Sequence, residues 1–325
     1  MKSIKELYRI GTGPSSSHTM GPRKAAEMFV TRHPDAAKFK VTLYGSLAAT
    51  GKGHMTDVAI IDTLEPTAPV EIIWQPKVFL PFHPNGMTFA AFDTDDKLIE
   101  NWTVYSIGGG ALAENSDTPS IESRDVYGMN SMTEILEWCE RSGKGYWEYV
   151  KECEDSDIWD YLNEVWKTMI DSIRRGLEEE GVLPGPLNLR RKASTYYIRA
   201  TGYKQSLQSR GLVFAYALAV SEENASGGKI VTAPTCGSCG VMPAVLYHLY
   251  KSRDFSDIRI LRALATAGLV GNIVKFNASI SGAEVGCQGE VGVACAMASA
   301  AANQLFGGSP AQIEYAAEMG LEHHL

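Results

Sequence analysis

Two periodicities divide the chain. Within residues 1–113, short runs alternate apolar and polar side chains as half-buried strands do. Phe39–Tyr44, Val70–Trp74 and Trp102–Ile107 fit that period, and Met87–Asp93 is a fourth strand candidate. Pro22 is placed to open a helix running through His33, with Ala25, Met28 and Phe29 on one face. From Ile158 the period lengthens: Ile158, Leu162, Val165, Trp166, Met169, Ile173 and Leu177 recur at helical spacing until Gly181 and Pro184. Residues 261–302 are rich in Ala, Gly and Ser, as closely packed helices require, and only Lys229–Thr232 interrupts this half with a strand pattern. Between the two halves, residues 114–156 are acidic and polar around short apolar groups. The pattern predicts an α+β domain over 1–113, a linker or helical hairpin over 114–156, and a mainly α-helical domain over 157–325.

Composition narrows the function classes. The 325 residues carry 30 Lys+Arg against 38 Asp+Glu, a net charge of −8. An acidic chain with no basic stripe is a poor partner for nucleic acid. The apolar run Gly211–Val220 is too short to span a bilayer, and the charged start MKSIKELYRI has no signal-peptide core. Six cysteines in a chain of this length do not make a disulfide scaffold, so a reducing, cytoplasmic setting is expected.

Five clusters carry candidate chemistry. Gly13-Pro14-Ser15-Ser16-Ser17-His18-Thr19-Met20-Gly21-Pro22 is a hydroxyl-rich loop running into a helix start, where unpaired N–H groups favour carboxylate or phosphate. The plain structural alternative is a surplus of N-capping serines. Gly51-Lys52-Gly53-His54-Met55-Thr56-Asp57 offers Lys52 and His54 to an anion, or Thr56 and Asp57 as caps of the next helix. His83-Pro84-Asn85-Gly86 reads by itself as a turn between strands. Cys236-Gly237-Ser238-Cys239 precedes the helix Val241–Tyr250. It reads either as a thiol redox pair or as two small residues in a tight turn; a zinc site would need a second pair. Asn277 to Glu290 is small, polar and glycine-rich around Cys287, a composition suited to an iron–sulfur ligand and poorly suited to a core.

Together these segments resemble the iron–sulfur-dependent L-serine dehydratases of bacteria. The resemblance rests on Ser-Ser-Ser-His-Thr-Met-Gly-Pro, Gly-Lys-Gly-His-Met-Thr-Asp, His-Pro-Asn-Gly-Met, Tyr-Ser-Ile-Gly-Gly-Gly, Ala-Pro-Thr-Cys-Gly-Ser-Cys-Gly and Gly-Ala-Glu-Val-Gly-Cys-Gln-Gly-Glu-Val-Gly, in that order along nearly the whole chain. The order is that of the single-chain form, a smaller β domain ahead of a helical α domain. The β domain is similar to the allosteric substrate-binding domain of some phosphoglycerate dehydrogenases.

The resemblance implies conversion of L-serine to pyruvate and ammonia, a [4Fe–4S] cluster, and a homodimer. It implies Cys287 as a cluster ligand and His18, His54 or His83 as the base or as a substrate-orienting group; spacing does not choose among the three. It implies substrate contacts from Ser15, Ser16, Ser17, Thr19, Lys52, Asn85, Asn277, Ser279 and Glu284. The family's other two cluster cysteines follow a Glu-His-Asn-Leu-like stretch, and here the sequence reaches Glu322-His323-His324-Leu325 and stops. A chain cut short within its cluster site is therefore expected, with Cys295 read as core packing. The alternatives are a non-catalytic serine- or anion-binding protein and a thiol redox protein using Cys236 and Cys239.

Overall fold

The computed structural model describes residues 1–114, 125–280 and 282–324; of Ala283, Glu284, Cys287 and Gln288 it describes the backbone only. The described chain forms two compact units, Thr12–Ser123 and Met1–Gly11 with Arg124–Leu325. After a 3₁₀ turn at Ile4–Glu6, strand β1 (Ile10–Thr12) pairs with a strand far down the chain. The first eleven residues, which the pattern places with the α+β domain, thus belong to the helical unit. Their apolar side chains Ile4, Leu7 and Tyr8 are buried in its core, a placement that depends on contacts distant in sequence.

The α+β unit runs α1 (Gly21–Arg32), β2 (Lys38–Tyr44), α2 (Gly45–Thr50), α3 (Thr56–Leu64), β3 (Val70–Gln75), β4 (Gly86–Phe92), β5 (Leu98–Ser106) and β6 (Leu112–Ala113). Its sheet has the order β3-β2-β4-β5-β6, with β2 and β3 parallel and the other pairs antiparallel. In β2 the side chains of Phe39, Val41 and Leu43 are buried while their neighbours are half-buried, as the sequence alternation predicts. Val41 aligns with Phe89, and Phe89 with Trp102, so one face of the sheet carries a continuous apolar row. Phe29 of α1 stacks on Trp102 with ring centroids 6.1 Å apart, and Leu47, Ile60 and Leu64 complete the core.

The helical unit contains α4 (Met132–Ser142), α5 (Tyr146–Cys153), α6 (Ile158–Glu178), α7 (Ala193–Thr201), α8 (Gln205–Ala225), β7 (Lys229–Val231), α9 (Val241–Arg253), α10 (Asp257–Asn277), α11 (Gly282–Leu305) and α12 (Pro310–Glu322). Strand β7 is the partner of β1. The segment expected to be a linker or hairpin holds α4 and α5 where it is described, and Ile135, Cys139, Tyr146 and Tyr149 join the same core as α6 and α10. Residues 115–124 of that segment lie outside the described residues. Helix α6 buries the residues that its periodicity singles out, apart from half-buried Leu177. Helix α11 is two helical pieces meeting at Gly286, whose φ of 70° and ψ of −177° break the helix immediately before Cys287. Among the described residues no helix is long and apolar enough to cross a membrane.

Candidate active site

Three segments that are distant in sequence meet in the α+β unit. The serines before α1 are not a loop: Ser16–Met20 forms a π-turn continuous with α1, and Ser15 caps it, its Oγ accepting from the His18 N–H at 3.1 Å. This turn buries Ser16, His18 and Thr19. Ser17 Oγ lies 3.0 Å from His18 Nδ1, and Ser46 Oγ lies 3.0 Å from His18 Nε2, so both ring nitrogens are engaged. His54 stacks obliquely against His18, ring centroids 4.7 Å apart. Thr19 Oγ1 donates to the His54 carbonyl at 2.6 Å, and Thr56 Oγ1 donates to the His18 carbonyl, tying the two segments together. Thr56 is therefore no helix cap: the position before α3 is Met55, in the left-handed region with φ 56° and without a side-chain capping bond.

The electrostatics differ from ring to ring. His18 is 7% exposed. Burial first, and then the adjacent His54 ring, hold its imidazole well below the usual 6.5, at about 4, with His83 a smaller influence in the same direction. His18 is accordingly neutral near pH 7. The His54 Nδ1 lies 3.0 Å from the Thr50 carbonyl, so it carries the proton of the neutral ring and leaves Nε2 as an acceptor. The backbone N–H of Asn85 donates to His83 Nδ1 at 3.1 Å, which places the proton of the neutral His83 ring on Nε2. Asn85 is 2% exposed; its Nδ2 donates to the Ser106 carbonyl at 3.2 Å, while its Oδ1 is buried with no partner among the described residues. Ser106 Oγ is likewise buried with no partner among the described residues. Two polar atoms left this way mark where a ligand's donors would be welcome.

The other expected site residues have their own surroundings. Lys52 is exposed, its ammonium 5.6 Å from the Trp74 ring centroid. In the helical unit, the Asn277 Nδ2 is committed to the Asn130 and Ile273 carbonyls at 2.8 and 2.9 Å, a structural tie at the end of α10. Ser279 is half-buried just beyond α10. The side chains of Glu284 and Cys287 lie outside the described atoms. A Cβ built at Gly286, beside Cys287, meets no described atom within 4 Å. Sequence reasoning left out Ser46 and Ser106 as site residues and gave Glu290 only as part of the Asn277–Glu290 cluster. Ser46 has no motif signal, whereas Ser106 and Glu290 sit inside the quoted Tyr-Ser-Ile-Gly-Gly-Gly and Gly-Cys-Gln-Gly-Glu motifs.

The thiol redox reading is corrected by the structure. Cys236 and Cys239 are each 1% exposed. Burial raises both thiols, Cys239 to about 12, and the Glu290 carboxylate adds to the effect. A redox pair needs an accessible thiolate, and this environment opposes one. Glu290 lies against the turn itself: a Cβ built at Gly237 would stand 2.8 Å from its Oε2. A side chain at that point would have to displace the Glu290 carboxylate.

Comparison with known proteins decides the family. The family model described as serine dehydratase alpha chain matches residues 55–325, and the serine dehydratase beta chain model matches residues 3–75. This chain belongs to the serine dehydratase family. L-serine dehydratase TdcG of Escherichia coli strain K12 is 38% identical over 379 aligned residues, covering 100% of this chain and 83% of that protein. The L-serine dehydratase of Haemophilus influenzae is 38% identical with the same coverages, and that of Streptomyces coelicolor is 37% identical over 99% of this chain and 82% of its own length. The beta-chain match contains His18 and His54, and the alpha-chain match contains His83, so the histidine cluster of this serine dehydratase draws on both family segments.

Proposed function

We propose that the chain is an L-serine dehydratase that removes water from L-serine and releases pyruvate and ammonia, with His54 as the base. The observation that carries the choice of base is the difference in hydrogen bonding within the cluster. Both nitrogens of His18 are occupied by serine hydroxyls and its ring is held neutral, whereas the His54 Nδ1 is fixed by the Thr50 carbonyl and no described residue bonds its Nε2. A positioned base of this kind contributes about 10²–10⁴-fold to rate. His54 Nε2 takes the Cα proton, the electron pair forms the Cα=Cβ bond, and the Cβ–O bond breaks as hydroxide leaves and takes up the proton that His54 removed, giving water and restoring the base. The resulting enamine shifts to its imine, which water hydrolyses to pyruvate and ammonia. Asn85 Oδ1 is an acceptor suited to the substrate ammonium, which would satisfy a carbonyl that costs about 1–3 kcal/mol to leave buried and unpaired.

The family resemblance supports a [4Fe–4S] cluster with Cys287 as one ligand, and no described atom lies within 4 Å of a Cβ built at Gly286 beside it. When bound, such a cluster supplies a Lewis acid for the departing hydroxyl. Among the described residues no three His, Cys, Asp or Glu side chains converge on a metal position, so they do not complete a ligand set. The steps above rest on the chain's own residues. The same resemblance supports reading the α+β unit as similar to an allosteric substrate-binding domain and the assembly as a homodimer, which sedimentation velocity tests. Cys139, Cys153, Cys239 and Cys295 are free thiols, in keeping with a reducing compartment such as the cytoplasm.

Substitution His54→Gln in the enzyme carrying its full set of cluster cysteines is the direct test. Pyruvate formation should fall by about 10²–10⁴-fold while the iron–sulfur absorption is unchanged. Turnover within about threefold of wild type, under conditions in which removal of a base should cost a hundredfold or more, would remove His54 from that role.

A further inference from the structure

The helical unit holds a cleft of about 470 Å³ that the proposed reaction does not use. The start of α8 and the end of α9 form its walls, and Phe306, just beyond α11, closes one side. Across it, Ser209 Oγ and His248 Nε2 lie 2.6 Å apart. The Arg253 guanidinium sits 5.6 Å from the Phe306 ring centroid, and no carboxylate among the described residues lies within ion-pair distance of it. Leu212 and Leu249 supply an apolar wall.

We propose that this cleft is a second small-ligand site, for a monocarboxylate with a short apolar tail. The guanidinium is a planar fork whose paired N–H groups match a carboxylate, and here its charge has no counter-ion among the described residues. With the His248 proton on Nε2, the imidazole donates to Ser209 Oγ, and the Ser209 hydroxyl hydrogen turns toward the ligand as a further donor. Burial first, and Arg253 second, lower the His248 pKa, so the cleft presents one fixed positive charge near pH 7. One charge balances a carboxylate; a phosphate dianion would leave an excess negative charge with no second cation among the lining residues. The leucines and Phe306 then cover the tail. The pair also has the makings of a nucleophile and its base, but no described side chain bonds His248 Nδ1 to orient the ring, as an activated serine requires. The cleft is therefore assigned to binding.

The test uses the full chain with methyl-labelled leucines and butyrate as the probe. Titration should give saturable shifts of the Leu212 and Leu249 methyl signals in the millimolar range. Arg253→Gln, at an exposed position that leaves the fold intact, should weaken binding at least about tenfold, and Ser209→Ala should weaken it to a lesser degree. Butyramide, the neutral isostere, and inorganic phosphate should leave those signals in place. Unchanged affinity in Arg253→Gln, equal binding of butyramide or phosphate, or no shift with butyrate at about 50 mM overturns the proposal. Since turnover is not the readout, its failure is separable from failure of the proposed dehydratase reaction.

Discussion

His18 is held as a neutral ring by its surroundings, and this makes a prediction about acid. In the folded chain its pKa is about 4, against an ordinary 6.5 when exposed. The unfolded chain therefore takes up a proton on this residue between those two values while the folded chain does not. Stability is full above pH 6.5 and is lost as pH falls toward 4. At 1.36 kcal/mol per pKa unit the loss is on the order of 3 kcal/mol. His18→Gln should flatten that limb: urea unfolding at neutral pH and near pH 4.5 should give free energies closer together than in wild type. An equal acid loss in the variant would show that other groups govern it. Why this residue is singled out becomes clear only in the folded turn, where Ser15, Ser17 and Ser46 surround it. The run of three serines announced hydroxyls at a helix start, but Ser46 comes from another element and carries no local signal.

At the scale of elements, the glycine between Arg175 and Leu177 decides how α6 meets α8. A Cβ built at Gly176 would stand 2.2 Å from the Ala219 carbonyl oxygen, and 2.5 and 2.8 Å from that residue's C and Cα. All three are backbone atoms, so the strain is not relieved by turning a side chain. Gly176→Ala should separate the two helices and cost about 1–3 kcal/mol or more. Gly128→Ala, in a bend where nothing described lies within 4 Å, is the open-space control and should be near neutral. Thermal melting of both variants checks this, and equal melting points would refute the close-contact argument. The helix itself is legible from its apolar spacing, as are β2 and β3, because period and burial are local consequences of one buried face. The need for glycine at one place on that face is not legible, since it depends on which backbone crosses there.

The whole molecule is two cores, and the chain's first residues belong to the one formed mostly by its last two hundred. Tyr8 is fully buried among the helices and its hydroxyl donates to the Leu264 carbonyl at 2.9 Å. The Thr232 N–H donates to the Arg9 carbonyl at 2.9 Å, and β1 pairs with β7. Tyr8→Ala should cost about 3–5 kcal/mol, as aromatic-to-alanine changes in a core do. Hydrogen exchange should show lost protection in α10 with β2 to β5 unaffected. Uniform loss across both units would contradict separate cores.

Sequence alone determined the elements, the order of a sheet-containing part before a helical part, and the family, because periodicity and motif order are properties of neighbouring residues. It also located the three histidines as candidates. Tertiary structure alone decided which of them keeps an open nitrogen, that Cys236 and Cys239 are buried thiols rather than a redox pair, and that residues 1–11 complete the helical core. Each of those depends on burial and on hydrogen bonds between segments tens to hundreds of residues apart, and no local pattern records which distant group fills the space beside a side chain.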